Sequence, residues 1–93
     1  MDYVVDKFKV VNHGGLRAFV SIIIEGKWLI HGFKVIETEK DGKIETWVGR
    51  PSRKQGSKWE DIVIPLDQIE IGKLNALILD EYDKIMEAAT KGE

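Results

Sequence analysis

The chain has 93 residues, the size of one domain, with 14 Lys/Arg against 16 Asp/Glu and a net charge of -2. With no cysteine there is no disulfide framework, thiolate zinc site or cysteine nucleophile, and two histidines, His13 and His31, are too few for a histidine-based metal centre. Apolar residues at 43% and charged residues at 32% make the chain too apolar for disorder and too charged for a membrane protein.

Tyr3 to Val11 alternates, which predicts a strand with Val4, Phe8 and Val10 on one face and Lys7 and Lys9 on the other. Asn12-His13-Gly14-Gly15 reads as a turn. Leu16, Ala18, Val20, Ile22 and Ile24 then place an apolar residue at every even position of a second, central strand. Glu25-Gly26-Lys27 permits a tight reversal into a third strand from Trp28 to about Glu39, and Asp41-Gly42 is a pair favoured in type I′ hairpins. Gly32, inside the third strand, marks a bulge beyond which the faces of later residues cannot be assigned from alternation. Ile44 to Gly49 and Trp59 to Ile64 read as two further strands, with Pro51 and Pro65 at their ends. In a symmetric hairpin, Trp47 and Trp59 stand near one another at its base, where cross-strand aromatic packing competes with the stacking of unpaired bases.

Asp67-Gln-Ile-Glu70 matches a capping box and predicts a helix from about Gln68 to Ala88. Ile71, Leu74, Leu77, Ile78, Tyr82, Ile85 and Ala89 share one helical stripe, which Leu79 and Met86 widen beyond what one sheet face requires. The extra width and the small size of the chain point to a second copy of the same chain as packing partner. Glu81 falls inside the stripe and calls either for a cation, Arg17 or Lys73, or for an edge position that keeps it wet.

Charge is divided unevenly. Residues 1–58 hold 11 basic and 7 acidic residues, whereas residues 59–93 hold 3 and 9. The densest basic stretch, Arg50 to Lys58, carries Arg50, Arg53, Lys54 and Lys58 with no acid. Guanidinium forks suit phosphate oxygens and guanine edges, and Ser52, Ser57 and Gly56 add hydroxyl and backbone donors, so a polyanion would be met there. The plainer use of such a stretch is a solvated loop that keeps the molecule soluble.

Catalytic groups do not converge. Glu60 and Asp61 are adjacent on a strand and point to opposite faces, and Ser21, Ser52 and Ser57 have no histidine near them in sequence. His31, among Leu29, Ile30 and Phe33, reads as a half-buried structural histidine. The uncharged runs Ala18–Ile24 and Leu74–Leu79 fall far short of the roughly 18 residues that cross a bilayer. The start, Met-Asp-Tyr-Val-Val, has no basic stretch followed by an apolar core, so a cytoplasmic location is expected.

Several blocks read together resemble one family. Val11-Asn12 with Gly15, Arg17-Ala18, Ser21-Ile22, Ile30 to Ile36, Pro51-Ser52-Arg53-Lys54, Asp61-Ile62, Pro65, Gly72-Lys73, and Leu79 with Glu81-Tyr82 occur in the order and spacing of the SpoVG family, the stage V sporulation protein G or septation-regulator family. The resemblance implies a small bacterial cytoplasmic regulator that dimerises through its sheet and binds DNA, and in some members RNA, with no catalysis and no cofactor. Carried over by position, the nucleic-acid-contacting turn falls on Ser52, Arg53 and Lys54, and the start of the helix on Gly72 and Lys73.

The combined expectation is one α+β domain: an antiparallel meander of about five strands over residues 1–66, one long C-terminal helix over 67–89, and a tail over 90–93. It forms a homodimer that binds nucleic acid through Arg50, Ser52, Arg53, Lys54 and Lys58, with Arg17 and Lys73 as helpers. No small-molecule substrate, metal or membrane is implied. The alternative from another class is a protein-interaction module that uses the apolar helix or a sheet edge, without nucleic-acid binding.

Overall fold

Positive-φ pairs close two of the three reversals of the main sheet. Glu25 and Gly26 (φ 56° and 64°) and Asp41 and Gly42 (φ 53° and 76°) adopt the left-handed backbone that a type I′ turn requires, matching the right-handed twist of the strands on either side. In the computed structural model, which describes residues 1–91, the order is β1 (Tyr3–His13), β2 (Leu16–Ile24), β3 (Trp28–Lys40), β4 (Lys43–Gly49), β5 (Ser52–Gln55), β6 (Lys58–Asp61) and α1 (Gln68–Lys91). Strands β1 to β4 form an antiparallel sheet in sequence order, and β5 and β6 form a separate two-stranded sheet. The fold is α+β.

The expected sheet of about five strands is therefore divided in two. The ladder between β3 and β4 ends at the Lys34–Gly49 pair. Pro51, which has no N–H to donate, is buried against the bare backbone of Gly32, while its carbonyl accepts the Ile62 N–H at 2.7 Å. Ser52 to Gln55 of the basic stretch then pair with Lys58 to Asp61, from Ser52 opposite Asp61 to Gln55 opposite Lys58, around Gly56 at φ 65°. What reads as a loop between two strands is a strand, a tight turn and a strand. The expected strand over Trp59–Ile64 is shorter, ending at Asp61.

Bulges also change which residues face inward. Val5 opposes Ile22 and Lys7 opposes Ser21, so Asp6 is the extra residue, and the inward face passes from Tyr3 and Val5 to Phe8. Val4 and Val10, expected beside Phe8, are 57% and 48% exposed. In β2, Ala18, Val20 and Ile22 are buried as the alternation implies, but Leu16 turns to the other face because a second irregularity lies between Leu16 and Ala18. Gly32, at φ 101°, occupies the expected bulge, where Val20 opposes Phe33 but Ile22 opposes Ile30.

The helix begins as half of a capping box. Asp67 Oδ1 accepts the N–H groups of Ile69 (2.8 Å) and Glu70 (3.3 Å), as expected of an N-cap carboxylate. Glu70 does not reach back; its carboxylate takes the Tyr3 hydroxyl at 2.7 Å and the Met1 amine at 3.0 Å, tying β1 to the first helical turn. The helix continues to Lys91, beyond the expected end, and residues 92 and 93 of the expected tail lie outside the described residues. Leu74, Ile78 and Tyr82 close the core over Ala18, Val20, Ile22, Phe33 and Val35. Leu79 packs partly against this core, and Met86 is 40% exposed.

Candidate nucleic-acid interface

The β5–β6 hairpin carries the basic stretch. Arg53, Lys54 and Lys58 are exposed on it, and Gln55 receives an Arg53 Nη2 contact at 3.5 Å. Arg50, just before the hairpin, is half-buried and donates from Nη1 to Asp61 Oδ2 at 3.4 Å, so its charge is largely answered by a carboxylate. Arg53 stands opposite Glu60 in the ladder and Lys54 opposite Trp59. Ser52 accepts from Lys34 Nζ at 3.4 Å, which joins the hairpin to β3.

Between the hairpin and the main sheet lies a groove of about 780 Å³. Leu16, Ile36 and Trp47 form its floor, side by side across β2, β3 and β4, on the face opposite the core residues Val35 and Val48. Trp59, Lys34, Arg50 and Asp61 form its wall. Trp47 and Trp59 thus share one groove, although they are not cross-strand partners as a symmetric hairpin implies, since Trp47 pairs with Ile36 and Trp59 with Lys54. Lys34 Nζ lies 5.9 Å from the Trp59 ring centre, within cation–π range. Gly49 keeps the floor open: a Cβ there would stand 2.9 Å from Ile36 Cδ1.

A comparison with known proteins decides the family. The SpoVG profile matches residues 2–84. The chain belongs to the SpoVG family. It is 34% identical over 76 residues to a protein of Lachnoclostridium phytofermentans, a match covering 81% of this chain and 77% of that one. It is 35% identical over 77 residues to one of Lachnospira eligens (82% and 83% covered) and 32% over 87 residues to one of Clostridium acetobutylicum (91% and 87% covered). All three bear the name "Putative septation protein SpoVG".

The positions that the SpoVG resemblance selects fall in two separate places. Ser52, Arg53 and Lys54 lie on β5, whereas Gly72 and Lys73 lie in the second turn of α1. Lys73 Nζ donates to the Met1 carbonyl at 2.8 Å and lies 3.9 Å from Glu70 Oε1 and 5.9 Å from the Tyr3 ring centre, which gives it a structural task. Arg17 donates to Asn12 Oδ1 at 2.9 Å, and its Nε stands 3.5 Å from Glu37 Oε2, in ion-pair range but without hydrogen-bond geometry. Glu37 also accepts the Tyr82 hydroxyl at 2.8 Å. Neither cation answers Glu81, which stays partly exposed at the edge of the stripe. His31, expected half-buried, is exposed on the sheet face away from the helix.

Two tyrosines are tuned by their partners. Burial, then the hydrogen bond to Glu70, pushes the Tyr3 phenol up to about 12. Burial and the bond to Glu37 raise Tyr82 in the same direction. The Tyr3 hydroxyl and the Met1 amine hold the Glu70 carboxyl below its ordinary value.

Lys34, Ile36 and Leu16 escape a reading of the sequence, because Gly32 and the irregularity after Leu16 reset the alternation on both sides of them. Among the described residues no group of three or more His, Asp or Glu side chains could hold a metal, and no helix is long and apolar enough to cross a membrane.

Proposed function

We propose that this protein is a nucleic-acid-binding regulator of gene expression, acting on DNA or RNA as a cytoplasmic homodimer without catalysis. The observation that carries the reading is the β5–β6 hairpin, a separate two-stranded sheet that presents Arg53, Lys54 and Lys58 to solvent. A short ribbon with three exposed cations suits a phosphate backbone, and its width suits a major groove. The names of the relatives attach septation to them, and we extend that process to this chain.

Self-association is supported by an apolar strip between the hairpin and the helix. Ile62, Ile64, Leu66 and Ile69 are 60%, 58%, 92% and 73% exposed. Covering them with a second copy removes apolar surface from water and presents two hairpins to one polyanion. The same strip also favours a second reading, a protein-interaction module in which the hairpin serves solubility.

Gel-shift titration of the parent and of the Arg53→Glu/Lys54→Glu double variant separates the two. The hairpin tip buries little, so the variant is expected to fold normally and to lose binding to both DNA and RNA. Undiminished binding by a folded double variant removes the hairpin from the interface. Failure of the parent to bind either nucleic acid, or to be retained on heparin, leaves the interaction module.

A further inference from the structure

The face of the main sheet opposite α1 carries an aromatic and cationic pattern that the hairpin does not account for. The register sets Lys9, Phe19, Lys34 and Gly49 in one row across all four strands. The next row is Leu16, Ile36 and Trp47, ending under Trp59 of the hairpin. On the other side of the first row, Lys7 stands opposite Ser21, beside His31. Phe19, Trp47 and Trp59 are 41%, 44% and 69% exposed, although rings of this size are ordinarily drawn into a core.

The charges here are not cancelled. Asp61 is paired with Arg50 and Glu37 with Arg17, while Asp6 accepts the neutral Ser21 hydroxyl and keeps its charge. Lys7, Lys9 and Lys34 make no ion pair among the described residues. The face therefore combines exposed rings with uncompensated cations, as a polynucleotide with unstacked bases requires: rings for the base planes, ammonium groups for the phosphates.

We propose that this face is a platform for single-stranded nucleic acid, with one unpaired base seated in the groove between Trp47 and Trp59 and the backbone led across the sheet by Lys34, Lys9 and Lys7. The proposal rests on the nucleic-acid reading above and specifies its ligand. A duplex keeps its base planes stacked inside and can reach the hairpin but not the groove, whereas a single strand can splay a base into it. The groove volume of about 780 Å³ falls in the range of sites that enclose a small ring system.

The test is fluorescence anisotropy with labelled oligo-thymidine, oligo-uridine and a mixed-sequence duplex of equal length, on the full chain. The parent is expected to favour both single strands over the duplex. Trp47→Ala and Phe19→Ala are each expected to weaken single-strand binding by about tenfold with duplex binding unchanged, and Trp47→Phe to restore most of it, since a ring is kept. Thermal melting verifies that each variant folds, and the conservative Trp47→Phe keeps the test open should Trp47→Ala fold poorly. Equal affinity for duplex and single strands overturns the proposal. So does unchanged single-strand binding by both alanine variants, or a shift in their sedimentation with no change in affinity, which would assign the face to a second copy. If Arg53→Glu/Lys54→Glu abolishes binding while Trp47→Ala and Phe19→Ala bind single strands as the parent does, the nucleic-acid reading stands and the platform falls; if no probe binds the parent, both fall.

Discussion

Pro51 lies against Gly32, and a Cβ added at position 32 would stand 3.3 Å from Pro51 Cβ and 3.5 Å from its Cα. This contact is where the chain leaves the main sheet and turns into the hairpin, so the bulge in β3 and the direction of the basic ribbon are set together. Gly32 also has φ 101°, a conformation that side-chain-bearing residues rarely adopt.

Gly32→Ala should cost about 1–3 kcal/mol in urea denaturation, combining backbone strain with the push against Pro51. The same variant should weaken nucleic-acid binding even where it is fully folded, because the hairpin moves relative to Trp47. Gly26→Ala is the control: its Cβ meets nothing within 4 Å at φ 64°, so it should be strained without touching the hairpin.

Glu37 answers two groups at once, the Tyr82 hydroxyl at 2.8 Å and the Arg17 guanidinium at 3.5 Å. Glu37→Ala leaves a buried phenol without its acceptor and a half-buried guanidinium without its counter-charge, and is expected to lower stability by about 1–3 kcal/mol. Adding Tyr82→Phe to it should cost less than the two single changes together, and a double-mutant cycle by urea denaturation reads that coupling.

Alkaline pH should separate Tyr3 from the rest of the molecule. Its phenol titrates at about 12 in the fold against an ordinary 10.0, so the unfolded chain releases this proton first and rising pH favours unfolding. The contribution is complete below pH 10, declines from there and is lost as pH passes about 12. The depressed Glu70 contributes in the opposite sense, fully above its ordinary value of 4.5 and lost as pH falls through its lowered one. Urea midpoints should therefore fall more steeply between pH 10 and 12 in the parent than in Tyr3→Phe, and lysine titration, common to both, cancels in the comparison.

Salt should resolve how many hairpin cations meet phosphate. Arg50 is engaged with Asp61, which leaves Arg53, Lys54 and Lys58. For duplex DNA the log-log slope of affinity against salt should be about −3 per engaged hairpin, and each single change of these three to alanine should reduce it by about 1. Arg50→Ala is expected to leave the slope nearly unchanged. Gel-shift titration at several salt concentrations measures both.

Local chemistry made much of this molecule legible. Asp41-Gly42, Glu25-Gly26, the Asp67 cap and the buried series Ala18, Val20 and Ile22 each follow from a rule acting within a few residues. Phase was the weak point. One inserted residue, Asp6, moves the inward positions of β1 from Tyr3 and Val5 to Phe8, and no pattern in Val4 to Val10 announces it. Glu70 likewise satisfies a capping pattern on paper, yet it is claimed by Tyr3, 67 residues away, whose phenol is a stronger competitor than the cap backbone. The hairpin cations were readable from composition; the groove beside them was not, because Leu16, Lys34 and Trp47 share a face only after two irregularities have been counted.

Ser21 bears on a different question, how the outermost strand finds its place. Its buried Oγ donates to Asp6 Oδ2 at 3.0 Å and accepts the Lys7 N–H at 3.2 Å, gripping the extra residue and its successor together. Were β1 to slip by one position, the hydroxyl would lose both grips, and Phe8 would trade places with a lysine neighbour. One hydroxyl thus works as an index pin, and it protects the border strand from docking out of step, the error by which such borders recruit unwanted neighbours.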